Sequence, residues 1–134
     1  MPRPDFTGAW TFNHGRSALE IPPPDSTIFV IEHREPRFHL SRTHVVGTTS
    51  DTFSIDLTTD GEEVVRVERG LEIHARAYWD GDTLVFNAAF SRQGVPATNS
   101  VRYSLTDDGR TFVAEEHFRS EQHRYDNTWV FDRT

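Results

Sequence analysis

Residues 71–90 read LEIHARAYWDGDTLVFNAAF, and this stretch decides the fold. Apolar and polar side chains alternate over residues 71–77 and again over residues 84–90, on either side of Asp80-Gly81. Alternation with a period of two is typical of β-strands that bury one face. Asp-Gly supplies the positive φ angles of a tight turn, so the stretch predicts a β-hairpin. Pairing across that turn places Ala77 opposite Leu84 and Ala75 opposite Phe86.

The same alternation recurs along most of the chain and predicts about ten strands in simple up-and-down order. Turn residues at Glu35-Pro36, Asp60-Gly61 and Asp108-Gly109 separate the runs, and each predicts a further tight hairpin. Residues 13–25 form one longer connection, in which Pro22-Pro23-Pro24 cannot continue a helix. Consecutive hairpins leave two exposed sheet edges unless the sheet closes. We therefore expect residues 1–134 to form a single all-β domain, a closed antiparallel β-barrel of about 8–10 strands. A β-sandwich is the alternative.

The composition excludes several classes of chemistry. The chain has 134 residues, a net charge of -7 and no cysteine, and all 14 of its basic residues are arginine. Without cysteine or lysine it has no thiolate nucleophile, no lysyl Schiff base and no P-loop lysine. Acidic chains bind nucleic acid and anionic membranes poorly. We expect neither as a partner.

The N-terminus, Met1-Pro2-Arg3-Pro4-Asp5, has no apolar stretch typical of a signal peptide. No apolar run approaches the roughly 18 residues that a membrane helix requires. These two observations predict a cytoplasmic protein that does not enter the membrane. We expect it to be a monomer or a homodimer.

The segment Phe6-Thr7-Gly8-Ala9-Trp10 resembles the Gly-x-Trp opening strand of the calycins, the superfamily of the lipocalins and their relatives. Further segments at residues 24–26, 32–36 and 79–85 are similar to small bacterial lipocalin-like proteins. The resemblance implies a barrel with an internal ligand cavity. It also implies that Trp10 closes one barrel end and that Arg133, late in the last strand, packs over it.

The turn at Glu35-Pro36 assigns the faces of two strands, because it pairs residue 34 with 37 and residue 33 with 38. The more apolar face, which we expect to point inward, then carries His33 and Arg42, with His44 as a further candidate. Extending this reasoning to the other strands predicts an apolar cavity with a few polar groups, as in small-molecule sites. The predicted ligand-binding residues are Phe29, Ile31, Phe38, Leu40, Arg42, Ala75, Ala77, Phe86, Tyr125, Asn127 and Trp129.

Three hypotheses for function remain open at this stage. The first is a barrel that binds a small hydrophobic or aromatic molecule without a cofactor, with Arg42 paired either to an acid group of the ligand or to Glu116. The second is a cofactor-free isomerase, cyclase, hydratase or decarboxylase in which His33, Glu116 and Tyr103 perform general acid–base catalysis. The third is a haem-binding barrel that uses His33 or His44. The spacing of the seven histidines predicts no dedicated metal site.

Overall fold

The computed structural model describes residues 3–134, which form ten β-strands and two short 3₁₀ turns. The turns are His14–Arg16 and Asp107–Gly109. The strands are β1 Gly8–Phe12, β2 Ser26–Arg34, β3 Arg37–Val46, β4 Thr49–Thr58, β5 Val64–Glu68, β6 Leu71–Asp80, β7 Thr83–Arg92, β8 Val95–Thr106, β9 Thr111–Ser120 and β10 Arg124–Arg133.

All ten strands belong to one antiparallel sheet with the order β4-β3-β2-β1-β10-β9-β8-β7-β6-β5. Strand β1 pairs with both β2 and β10, which joins the first and last parts of the chain. The sheet curls into a nearly closed up-and-down barrel, and the predicted all-β barrel is confirmed. Complete closure of the barrel is not confirmed, because β4 and β5 lie at the two ends of the strand order and share no ladder.

The predicted tight hairpin at Asp60-Gly61 is wrong. The backbone N–H of Gly61 donates to the carbonyl of Ala77 at 2.8 Å, and Asp60 forms a β-bridge with Tyr78. The linker between β4 and β5 therefore satisfies its backbone groups against β6 instead of turning back onto β4.

Two hairpin registers test the assignment of faces. Across the β2–β3 turn, Arg34 pairs with Arg37, as predicted. Across the β6–β7 turn, Asp80 pairs with Thr83, so the two turn residues are Gly81 and Asp82 rather than Asp80 and Gly81. Each residue of β6 therefore faces a residue two positions further along β7 than predicted. A slip of two residues leaves every side chain on its predicted face.

Trp10 closes one end of the barrel. Its side chain is fully buried, and its indole N–H donates to the carbonyl of Phe6 at 2.9 Å. The guanidinium of Arg133 lies over the Trp10 ring. The structure thereby confirms the arrangement that the calycin resemblance implies, and we call this the closed end.

The connection between β1 and β2 runs beside β10. Ala18 and Thr128 exchange two backbone hydrogen bonds of 2.8–2.9 Å, which continue the pairing that β1 makes with β10. The residues that follow, Ile21, Pro22 and Pro24, reach the opposite end of the barrel, which is open. Within residues 3–134, no helix is long and apolar enough to cross a membrane.

Candidate functional site

The open end of the barrel contains a cavity of about 740 Å³, here called the mouth cavity. Turns β3–β4, β5–β6 and β7–β8 and the connection before β2 form its rim. A narrower extension of about 70 Å³, the inner chamber, continues toward the closed end. The two spaces are continuous, because they share seven lining residues: Arg42, His44, Phe53, Phe86, Asn99, Glu116 and Trp129. The volume lies within the range of small-molecule sites.

Glu116 on β9 is the most thoroughly hydrogen-bonded group of the cavity. Its Oε1 accepts from the side-chain N–H groups of Asn127 and Trp129, each at 2.9 Å. Its Oε2 accepts from the side-chain amide of Asn99 at 2.8 Å. Asn127 also accepts the backbone N–H of Glu20 at 2.8 Å. The buried side chain of Asn127 thus links the connection between β1 and β2 to the carboxylate of Glu116 inside the barrel.

Arg42 on β3 does not pair with Glu116, which leaves that sequence hypothesis without support. Its terminal nitrogen donates to Asp51 on the adjacent strand β4 at 3.3 Å. Asp51 also pairs with Arg69 at 2.8 Å. The guanidinium of Arg42 lies 5.6 Å from the ring centroid of Phe53. Its Nε is buried and has no hydrogen-bond partner among the described residues.

His44 lines both spaces and is held in place on two sides. Its Nδ1 is hydrogen-bonded to the hydroxyl of Thr27 at 2.6 Å, and its ring stacks on Trp129 with 5.6 Å between centroids. Burial, reinforced by the positive charge of Arg42, lowers the pKa of His44 to about 4, although Asp51 and Glu116 oppose the shift. The imidazole is therefore neutral at pH 7.

Tyr103 on β8 lies at the inner chamber with 3% of its surface exposed. Burial raises the pKa of its hydroxyl; the negative charge of Glu116 raises it further, and Arg42 opposes this. The hydroxyl therefore stays protonated. Within residues 3–134 no side chain or backbone group forms a hydrogen bond with it, so it is available to a molecule in the chamber.

The structure brings eight of the predicted site residues to the two spaces: Phe29, Leu40, Arg42, Phe86, Tyr103, Glu116, Tyr125 and Trp129. Asn127 lines neither space, and its side-chain amide donates a hydrogen bond to Glu116. Five other predicted residues are buried, but line neither space: Ile31, His33, Phe38, Ala75 and Ala77.

His33 lies at the closed end, away from Glu116. Its Nδ1 accepts the backbone N–H of Phe6 at 3.3 Å, which leaves Nε2 protonated to donate to Glu35 at 2.6 Å. Burial raises the pKa of the Glu35 carboxyl, but hydrogen bonds from His33, Trp79 and Thr59 outweigh it and leave the pKa below its usual value. The predicted acid–base set of His33 with Glu116 and Tyr103 is not assembled in one cavity.

Sequence reasoning missed several lining residues, including Asn99 and Ala88. Asn99 lies two residues before Val101 on the same face of β8, so extending the alternation by one step identifies it. Ala88 lies between Phe86 and Phe90 on the inner face of β7. Asp51 and Glu68 also line the cavity, at its rim. Asp51 lies two residues before Phe53 on the same face of β4, so the same extension of the alternation identifies it. Within residues 3–134, no group of three or more histidine, aspartate or glutamate side chains is arranged to hold a metal ion.

Comparisons with known proteins give the fold a context. An abundant heat soluble (SAHS) protein from Ramazzottius varieornatus has a TM-score of 0.68 at 15% identity, covering 96% of this chain and 94% of that one. Human cRBP IV has a TM-score of 0.63 at 16% identity, covering 98% and 99%. Zebrafish ileal bile acid-binding protein complexed with cholic acid has a TM-score of 0.64 at 12% identity, covering 96% and 98%.

These structural neighbours belong to the calycin and lipocalin class, and this chain has their fold. The resemblance seen at Gly8-Ala9-Trp10 is therefore confirmed at the level of the fold. No protein-family model matches the sequence, and no curated protein matches it either. The assignment of function consequently depends on the site itself.

Proposed function

We propose that this protein binds a small hydrophobic ligand in the mouth cavity. The observation that carries the proposal is an open cavity of about 740 Å³ in which aromatic and aliphatic side chains make up about half of the lining, alongside ten polar or charged residues. Phe53, Phe86 and Trp129 supply broad apolar surfaces that water hydrates poorly, so filling the space with an apolar molecule is favourable. A structural neighbour of the same fold contains cholic acid, which supports this use of the barrel.

A titration with Nile red, an uncharged dye that fluoresces in apolar surroundings, tests the proposal. We expect saturable binding at one site. Ala88 lines the cavity, and Ala89 is exposed on the outer face of the same strand. Ala88→Phe should fill the space and weaken binding at least about tenfold, whereas Ala89→Phe should bind like the original chain. Equal binding by both variants, with melting curves showing that both are folded, would refute the proposal.

Haem binding is a second candidate, and one observation favours it. His44 lines the cavity with a neutral imidazole whose Nδ1 is anchored by Thr27, while its Nε2 has no hydrogen-bond partner within residues 3–134. A neutral imidazole nitrogen is the usual protein ligand for haem iron. His44 would hold the iron here, and the bound haem would supply the iron chemistry. An absorption spectrum of the chain and of His44→Ala, each mixed with haemin, distinguishes this candidate from hydrophobic binding alone.

A further inference from the structure

The carboxylate of Glu116 is surrounded by neutral donors. Asn99, Asn127 and Trp129 hold it, and none of them carries a charge. The cation that shares the inner chamber, Arg42, forms its ion pair with Asp51. Among the ion pairs of residues 3–134, none includes Glu116 within 4.0 Å. The inner chamber therefore presents a negative charge that no cation in direct contact neutralises.

Glu116 also retains capacity to accept a hydrogen bond. A carboxylate offers about four acceptor positions, and three donors occupy Glu116. Its Oε2 has one protein donor, the amide of Asn99, so the free position lies on the side of Asn99.

Asn99, whose side-chain amide donates to Glu116, carries a second unsatisfied acceptor. Because its Nδ2 donates to Glu116, the other end of the amide must be the oxygen, since the reverse orientation would bring two acceptors together. This Oδ1 is buried and has no hydrogen-bond partner among the described residues. A buried acceptor without a partner is destabilising, so a donor that reaches it stabilises the complex.

We propose that the polar group of the ligand is a hydrogen-bond donor, an alcohol or an amine, which binds in the inner chamber between Glu116 and Asn99. This inference rests on the proposed function. The chamber, at about 70 Å³, has room for one small polar group, whereas the apolar remainder of the ligand occupies the mouth cavity. An alcohol can in addition accept a hydrogen bond from the free hydroxyl of Tyr103.

A carboxylate ligand is disfavoured at this position. It has no proton to offer to Asn99 or Glu116 at pH 7, and its charge repels that of Glu116. The unpaired Nε of Arg42 is the group that attracts an acid, but this guanidinium already pairs with Asp51, which it shares with Arg69. The charge and the free acceptors of the inner chamber therefore favour a ligand group that donates a hydrogen bond.

Three probes with the same ten-carbon chain test the inference by titration calorimetry: 1-decanol, decylamine and decanoate. At pH 7 we expect decanol, decylamine or both to bind at least about tenfold more tightly than decanoate. If decanoate binds as tightly as both of the others, the inference is overturned while the proposed function stands. If none of the three binds, both are overturned.

Substitution of Glu116 tests whether this carboxylate causes the preference for a hydrogen-bond donor over an acid. In Glu116→Gln we expect the affinity for decanoate to rise and that for decylamine to fall, each several-fold. Glu115→Gln on the exposed face of the same strand removes the same charge outside the barrel and should change neither. Asn99→Ala, a second variant, should weaken decanol several-fold, which keeps the test decisive if Glu116→Gln fails to fold. Unchanged affinities in folded variants at both inner positions would overturn the inference.

Discussion

The guanidinium of Arg133 lies 4.2 Å from the centroid of the Trp10 ring, at the end of the barrel opposite the cavity. Arg133 also donates to the backbone carbonyl of Thr7 at 2.9 Å and to that of Gly109 at 3.0 Å. One side chain thus ties the segment before β1 and the β8–β9 turn to the last strand. The cation over the buried indole closes this end, and the opposite end is the one through which we propose that a ligand enters.

Trp10→Ala should lower the free energy of unfolding by about 3–5 kcal/mol, the usual cost of removing a large buried aromatic side chain. The cost combines lost apolar burial with the cavity that remains beneath Arg133. Denaturant unfolding measures it. Tyr78→Ala is the control, because 39% of Tyr78 is exposed and its truncation should cost far less. Equal losses in the two variants would contradict the role assigned to Trp10.

Gly8→Ala should destabilise the closed end for two reasons. The φ angle of Gly8 is 141°, and a Cβ there would lie 2.6 Å from the Nη1 of Arg133. Gly47 also has a positive φ, of 60°, but a Cβ at that position meets nothing within 4 Å. Gly47→Ala should therefore lower the free energy of unfolding by the backbone strain alone, about 1–3 kcal/mol. Gly8→Ala should lower it by more. Thermal melts that rank the two variants the other way would contradict the close approach of Arg133.

The burial of His44 should make stability depend on pH. Its pKa is about 4 in the folded protein, against 6.5 in the unfolded chain, so the unfolded state binds more protons between these values. The stability contributed by neutral His44 is complete above pH 6.5, falls as the pH drops toward 4, and changes no further below that. Burial is the main cause of the lowered pKa of His44; among the charged groups that face the ring, Arg42 adds to the shift, and Asp51 and Glu116 oppose it.

The comparison of His44→Gln with the original chain isolates this contribution. The difference in unfolding free energy between the two should change across pH 6.5 to 4 in the direction just given. His123→Gln, which removes an exposed histidine on the outside of the barrel, is the control substitution. A His44→Gln profile parallel to that of the original chain would show that His44 titrates normally.

The alternating pattern predicted the inner and outer faces well, because the side-chain period of a strand is two and leaves little choice. Arg42, Glu116 and Trp129 were all placed inside correctly. The register of β6 and β7 was off by two residues, which no face assignment can detect. The hairpin at Asp60-Gly61 was wrong because turn chemistry does not show which strand the turn will pack against.

The sequence did not allow us to predict how far along the barrel axis each inward-pointing residue lies. His33 and Glu116 both point inward, yet His33 packs against Phe6 at the closed end and Glu116 lies at the cavity. Parity assigns a face, but the level of a residue depends on the stagger between strands that are distant in the chain. The pairing of Arg42 with Asp51 instead of Glu116 was also missed, although Asp51 lies on the neighbouring strand β4 and lines the same cavity.

The measurement that tests the central claim most directly is the mapping of amide chemical shifts by NMR as Nile red is added. We expect saturable changes on the strands that line the mouth cavity, including Phe86, Ala88 and Glu116. The closed end around Trp10 and His33 should change little. Changes confined to the closed end or to the outer faces, or no saturable change at all, would contradict the claim that this barrel binds hydrophobic molecules through its open end.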